Sequence, residues 1–445
     1  MLKKFIELCE QNNVDVHQIT CYKSNELLFS FAIPPYSIDD KQQLYSLSKS
    51  FTSTGIGLAI GEGLLTVNDK VADIFADDLN GTELSDYAKI LTVQDCLTMR
   101  TGHSECSMGN ILNSESAPII AFMTKPFNHK PGTHFIYNTG ATYILSAIIT
   151  KLTGETLFDY LTPRLFDPLG IKNAYWANFK GITEGGYGLH VSSYDAAQLG
   201  LLYYNKGVYN GERLLSEEWA AEATTGHADN AATGGTLDWG AGYGYQFWRC
   251  YRGGYRGDGA FGQLCVVNDD IVFAMLAEAA DMQKELDCVY ALLNDINNNG
   301  KVDISEILPK SIPATGDISI KNHLGKWLTC GDNPFNMTKM KFEIKDDMLI
   351  WSHSSSFYIN EIKCGIGEWV YNEVLSIMLE PTLGMIRMPV WRKNQFAACF
   401  TGDKIIWRYK NNPHSQTFKL TVTDDGIDIT IESITDQPFT FKAHL

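Results

Sequence analysis

Near residue 295 the hydrophobic pattern of this chain changes period, and that change limits its fold more than any other feature. Upstream, helix-like and strand-like stretches are interleaved. From residue 317 to 445 only short runs of period two remain, such as Leu349-Ile350-Trp351-Ser352-His353 and Ile427-Asp428-Ile429-Thr430-Ile431. Between them, residues 295–316 are crowded with Asn, Gly and Ser and carry Pro309 and Pro313, which is linker composition. The chain therefore reads as two units, residues 1–308 and 309–445. Its 445 residues agree, being too many for one hydrophobic core.

The second unit is expected to be an all-β barrel or sandwich. Thr423-Asp424-Asp425-Gly426 is hairpin chemistry between strands at Phe418–Val422 and Ile427–Ile431. In the first unit a short helix precedes strands at Ile19–Tyr22 and Leu27–Ile33. A helix is expected from about Ser46 to Leu65, where Gly55, Gly57 and Gly61 suit close packing against a sheet. Thr92 or Asp95 caps another helix, and Tyr143–Leu152 is a third, ended by Gly154. Tyr243–Arg249, Leu264–Val267 and Ile271–Ala277 read as strands, and Met282–Leu293 as a helix.

The net charge is -16, with 52 acidic and 36 basic residues. Such a chain lacks the clustered cations that nucleic acid requires. No apolar run approaches the roughly 20 residues of a membrane span. The start, Met1-Leu2-Lys3-Lys4-Phe5-Ile6-Glu7-Leu8-Cys9-Glu10, has no apolar region after its lysines and reads as an amphipathic helix, not an export signal. The ten cysteines form no C-x-x-C pair and are expected to be reduced. A cytoplasmic location follows as an expectation, and the sequence leaves the oligomeric state open.

Chemistry concentrates at Tyr45-Ser46-Leu47-Ser48-Lys49-Ser50, at a helix start. Ser46 is the only serine with a lysine three positions on. On a helix those positions share a face, so the Lys49 amine can reach the Ser46 hydroxyl. A serine hydroxyl needs a base beside it, and burial lowers a lysine pKa towards that task. The helix N-terminus adds N–H groups suited to an oxyanion. Composition alone yields about two such spacings by chance in a chain this long, so the pair needs support from elsewhere.

Support comes from four blocks in order. Leu44-Tyr45-Ser46-Leu47-Ser48-Lys49-Ser50-Phe51-Thr52 resembles the first motif of the serine β-lactamase and penicillin-binding-protein superfamily, in its class C β-lactamase-like branch of esterases, D-aminopeptidases and related hydrolases. Residues Leu91 to His103 resemble its structural helix and turn. Pro131-Gly132-Thr133-His134-Phe135-Ile136-Tyr137-Asn138-Thr139 resembles the second motif, and Gly185-Gly186-Tyr187-Gly188-Leu189 with Ser192 and Asp195 a further block. The resemblance covers roughly residues 15–295. It implies an α+β fold: a mainly antiparallel sheet flanked by helices, with a helical subdomain.

The resemblance also implies roles. Tyr137 shares general-base work with Lys49, its phenol pKa lowered by the neighbouring ammonium. Thr139 stands where an asparagine would contact the substrate's acyl-amide. Aligning Gly-Ala-x-Gly places the third motif at Gly257-Asp258-Gly259-Ala260-Phe261-Gly262-Gln263, with Gly257 in place of the usual cation. Arg252 and Arg256 are the nearby positive charges. Gly259 lets the strand approach the reacting carbonyl, and the N–H groups of Ser46 and Ala260 form the oxyanion hole. Asp258 is a candidate contact for a cationic substrate amine. The implied reaction is acyl transfer through Ser46 on an ester or amide in a small molecule or short peptide, with no metal and no cofactor.

Other signals carry less. Asp295 to Glu306 fits an EF-hand loop, but in one copy and with Pro309 cutting the following helix, so a polar linker is the expectation. His103 and His134 are read as structural. The aromatics Tyr243, Tyr245, Phe247 and Trp248 are read as core and cleft wall, not as a stacking platform for bases.

Overall fold

The computed structural model describes residues 1–232, 237–299, 316–355, 359–376, 392–434 and 437–445. A central antiparallel sheet is built from β1 (Val14–Lys23), β2 (Glu26–Ala32), β3 (Trp248–Arg249), β4 (Tyr255–Gly259), β5 (Gln263–Asn268) and β6 (Ile271–Ala279). The strands lie in the order β3-β4-β5-β6-β1-β2, so the chain's first strand sits beside its sixth. Helices cover both faces, which is why β6 is buried along its whole length and reads as a continuous apolar run. On one face α1 (Leu2–Gln11) packs Leu2, Phe5 and Cys9 with Leu286, Val289 and Leu293 of the last helix, Met282–Asn299. On the other lie α2 (Ser48–Gly61), α3 (Thr139–Thr153) and α4 (Ser193–Tyr204).

Local chemistry sets several boundaries. Thr92 caps the helix Val93–Leu97 in a reciprocal box with Asp95, and Ser192 does the same with Asp195 for α4. Gly154 closes α3 in the left-handed conformation. The helix glycines differ from expectation in their neighbours. A Cβ on Gly55 would meet Leu157, and one on Gly57 would meet the Trp219 ring, so α2 packs there against helices and not against the sheet. Tyr243–Arg249 is likewise not a strand. Only Trp248–Arg249 pairs regularly, because Gln246 takes a positive φ of 64° and turns its amide inward. The last helix continues to Asn299, which puts the first five positions of the EF-hand-like segment on a helix instead of a loop. Lys4 and Lys23 pair with Asp295 and Asn297 there. The remainder of that segment and the 308/309 boundary lie outside the described residues.

The C-terminal part is β7 (Leu328–Cys330), β8 (Met337–Lys345), β9 (Met348–Ser355), β10 (Ile359–Ile366), β11 (Val370–Ser376), β12 (Arg392–Phe400), β13 (Lys404–Tyr409), β14 (Ser415–Val422), β15 (Gly426–Glu432) and β16 (Phe439–His444). Nine strands run β10-β9-β8-β7-β16-β15-β14-β13-β12, and a parallel pairing of β12 with β10 closes the ring. β11 pairs outside it with β12. Closure removes open sheet edges, and the interior is filled by Phe342, Trp351, Phe396, Trp407 and Phe418. Arg408 on Asp15 (2.8 Å) and Lys410 on Asp40 (2.7 Å) tie the barrel to the first unit. No described helix is long and apolar enough to cross a membrane.

Candidate active site

Ser46 sits in a single turn of 3-10 helix, Tyr45–Leu47, that runs directly into α2. The residue before it, Tyr45, has φ +46°, a left-handed conformation costly for a bulky side chain. The kink leaves Ser46 partly exposed while Tyr45 and Leu47 on either side are buried.

One turn on, Lys49 is 1% exposed. Its Nζ lies 3.1 Å from Ser46 Oγ, 3.2 Å from Thr139 Oγ1 and 2.7 Å from the carbonyl of Gly186. Each of these three partners is neutral. Burial therefore lowers the amine's pKa to about 7, with only a small opposing contribution from Cys106. Near neutrality a substantial fraction of the amine is uncharged. Thr139 and Gly186 can then take its two N–H bonds, leaving the lone pair for the serine proton.

Asn138 places Tyr137. Its buried amide oxygen accepts from the N–H of Gly140, capping α3, and from Ser107 N and Oγ. The Tyr137 ring stacks on Trp248 at 5.3 Å and lies 5.0 Å from Lys49 Nζ. The expected lowering of its pKa is reversed. Burial raises the phenol well above its usual value, outweighing a hydrogen bond with Ser46, and the negative charge of Asp258 acts in the same direction.

The third-motif strand runs beside this turn. A Cβ on Gly259 would stand 2.0 Å from the Leu44 carbonyl, and one on Gly257 would stand 2.2 Å from Leu47 Cδ1. At 257 a larger side chain would require Leu47 and Ser50 to shift. The first contact presses β4 against the backbone two residues before Ser46, and Ala260 is the next residue along. Asp258 does not face this cleft. It alternates with the two glycines and points to the side of the sheet that carries Leu264, Val266 and the last helix. There Arg256 Nε holds its carboxylate at 2.7 Å, with both side chains buried. Arg256 is thereby committed too, and Arg252 lies over the Tyr290 ring of the last helix.

His103 is buried against Phe122 and Phe127, and burial lowers its pKa to about 4, as suits a neutral structural ring. His134 stacks on His129. Among the described residues no cluster of His, Cys, Asp and Glu is arranged to hold a metal. Two contributors escaped the sequence reading. The Gly186 carbonyl lay inside a recognised block, but nothing in the block signals its contact with Lys49. Gln246 accepts from Thr142 and Ser50 and donates to the Leu97 carbonyl, joining three helices behind the site, and its only signal is one amide in an aromatic run.

The chain is similar in sequence to several named proteins. The lovastatin esterase of Penicillium rubens is 24% identical over 163 residues, 32% of this chain and 40% of that protein. The D-aminopeptidase of Brucella anthropi is 29% identical over 143 residues, 32% of this chain and 27% of that protein. The 6-aminohexanoate-dimer hydrolase of Paenarthrobacter ureafaciens is 24% identical over 264 residues, 54% of this chain and 66% of that protein. The first two matches thus span well under half of those relatives. In fold, the octameric penicillin-binding protein homologue from Pyrococcus abyssi superposes with TM-score 0.53 at 16% identity, covering 99% of this chain and 100% of that one. EstCE1, a hydrolase with promiscuous acyltransferase activity, superposes with TM-score 0.53 at 15% identity, covering 62% and 92%. The family model described as Beta-lactamase matches residues 20–291, more than half of the 445, and the chain belongs to that family.

Proposed function

We propose that the protein is a serine hydrolase that cleaves a small-molecule or short-peptide ester through a Ser46 acyl-enzyme. The observation that carries this reading is the approach of Lys49 Nζ to Ser46 Oγ, 3.1 Å, by an amine whose pKa burial brings to about 7. Ser46 Oγ attacks the carbonyl carbon while Lys49 takes its proton. The tetrahedral oxyanion is held by the N–H groups of Ser46 and Ala260. Tyr137, kept protonated by burial, passes a proton to the leaving group and is replenished from the Lys49 ammonium. Water then enters, the same amine takes its proton as the oxygen attacks the acyl carbon, and the Lys49 ammonium returns that proton to Ser46 Oγ as the acyl bond breaks. Thr139 holds the amine in place through the first and second steps.

An ester is favoured over two alternatives. A β-lactam or peptidoglycan substrate presents a carboxylate, and the position usually cationic is Gly257, with Leu47 filling the space. A D-amino-acid amide presents an ammonium, and Asp258, the anion the sequence offered, is neutralised by Arg256 on the far face of the sheet. The test is a panel of p-nitrophenyl esters, nitrocefin and D-amino-acid amides, with mass spectrometry of a fluorophosphonate adduct. Turnover confined to the esters and an adduct on Ser46 is the expected result. Folded protein that takes no adduct overturns the reading in favour of a catalytically silent binder.

A further inference from the structure

The barrel loop Lys410–His414, between β13 and β14, reaches across to the Ser46 turn. The Asn411 carbonyl accepts from Gln43 N at 3.1 Å. His414 Nε2 lies 2.9 Å from the Tyr45 hydroxyl, and its ring packs edge-on against Phe261 at 4.7 Å. Tyr45 and Phe261 also pack on each other at 5.1 Å. From behind, Ser415 Oγ hydrogen-bonds Glu278 of β6, and Glu278 Oε1 lies 3.9 Å from His414 Nδ1. His414 is 6% exposed.

The two residues under this imidazole are singular in position. Tyr45 immediately precedes Ser46, and Phe261 immediately follows Ala260. Both take positive φ, 46° and 65°, without being glycine. A strained backbone persists only where its surroundings over-determine it. Here a ring from the other unit contacts both kinked residues at once.

We propose that the barrel completes the active site through His414, a positioning residue that sets the spacing between the Ser46 turn and the Ala260 turn. The proposal rests on the reading of Ser46 as the nucleophile and of the two N–H groups as its oxyanion donors. It gives the C-terminal unit a part in the reaction itself. Its loss moves the two turns apart by a fraction of an ångström without touching the base.

The experiment uses the full chain and follows Ser46 acylation by a fluorophosphonate and by p-nitrophenyl acetate. His414→Ala, His414→Gln, Tyr45→Phe and the double variant Tyr45→Phe/His414→Ala are compared, each checked for folding by near-ultraviolet circular dichroism. Acylation should slow on the order of 10–100-fold in His414→Ala, the scale of a small misplacement of reacting groups. His414→Gln should recover most of the rate, since its amide can still reach the phenol. Tyr45→Phe should be slow by itself, and the double variant no slower than the slower single, as for residues acting as a unit. The pH at which acylation is half-maximal should stay in place in every variant. Wild-type acylation by folded His414→Ala, or strictly additive losses in the double variant, overturns the proposal while Ser46 labelling stands. Should His414→Ala fail to fold, Tyr45→Phe, which leaves the barrel intact, decides by the same criterion. Wild-type protein that takes no label on Ser46 overturns both this proposal and the reading it rests on.

Discussion

The start of α2 and the interior of the barrel are equally hidden from water, yet they are filled with opposite chemistry. In α2 the buried residues include Ser48, Lys49, Ser50, Thr52, Ser53 and Thr54. In the barrel they are rings: Trp407 lies 4.5 Å from Phe418 and 4.8 Å from Phe396, and Trp351 lies 4.9 Å from Phe418. Burial of rings returns transfer free energy and packing. Burial of a lysine costs stability and returns a base that works near neutral pH. The contrast teaches that the barrel fills its centre with apolar rings, while the first unit, beside its own apolar cores, accepts strain and buried polarity at the turn proposed to do chemistry.

That contrast can be broken by substitution, starting with the largest effect. Lys49→Ala should slow Ser46 acylation roughly 10²–10⁴-fold, the range for removing a positioned base, while the protein stays folded. Stopped-flow release of p-nitrophenol measures it, and near-normal rates would assign the base elsewhere. In the barrel, Trp351→Ala should cost about 3–5 kcal/mol by urea unfolding, as for other large-to-small core changes, with the pH of half-maximal acylation unmoved.

Two glycines sharpen the comparison because they are equally tight. A Cβ on Gly259 would lie 2.0 Å from the Leu44 carbonyl, and one on Gly426 would lie 2.0 Å from the Ala443 carbonyl. Gly259→Ala should slow acylation on the order of 10²-fold, as loss of an oxyanion donor does. Gly426→Ala should lower the melting temperature and leave acylation intact. Equal rate losses in the two would mean that Gly259 is only a packing residue.

The smallest effect has the opposite sign. Lys49 has an ordinary pKa of 10.5 that burial lowers to about 7. Between those values the unfolded chain holds a proton the folded chain does not, so wild-type stability rises with pH through that window. Below pH 7 the burial cost is fully present. Lys49→Met should therefore stabilise the inactive protein by on the order of a few kcal/mol at pH 6 and by less at pH 9. A gain independent of pH would mean that the amine is not buried uncompensated.

Much of this was legible in the chain because it is local. The Ser46–Lys49 spacing, the Thr92/Asp95 box, the Gly154 stop and the Thr423–Gly426 hairpin each draw on a few neighbouring residues, and the folded elements carry them. The sheet-and-helix architecture was legible through the resemblance. What escaped depends on distant partners. The pairing of Asp258 with Arg256 follows from which side of β4 faces the last helix, and the alternation alone leaves that side open. The left-handed Tyr45 contradicts its own preference and is held by a residue 369 positions away. The pKa of Tyr137 turns on how completely the folded chain buries its phenol, which no local pattern reveals. Tyr243–Arg249 has strand composition, and one inward amide overrides it.

The central claim is that a buried Lys49, its pKa lowered to about 7, activates Ser46. The most direct measurement is the rate of Ser46 acylation by a neutral ester between pH 5 and 10. The account predicts a rate that rises about tenfold per pH unit and levels off near 7, with that rise abolished in Lys49→Ala. A flat profile, or a break near 10 where an ordinary lysine titrates, would contradict it.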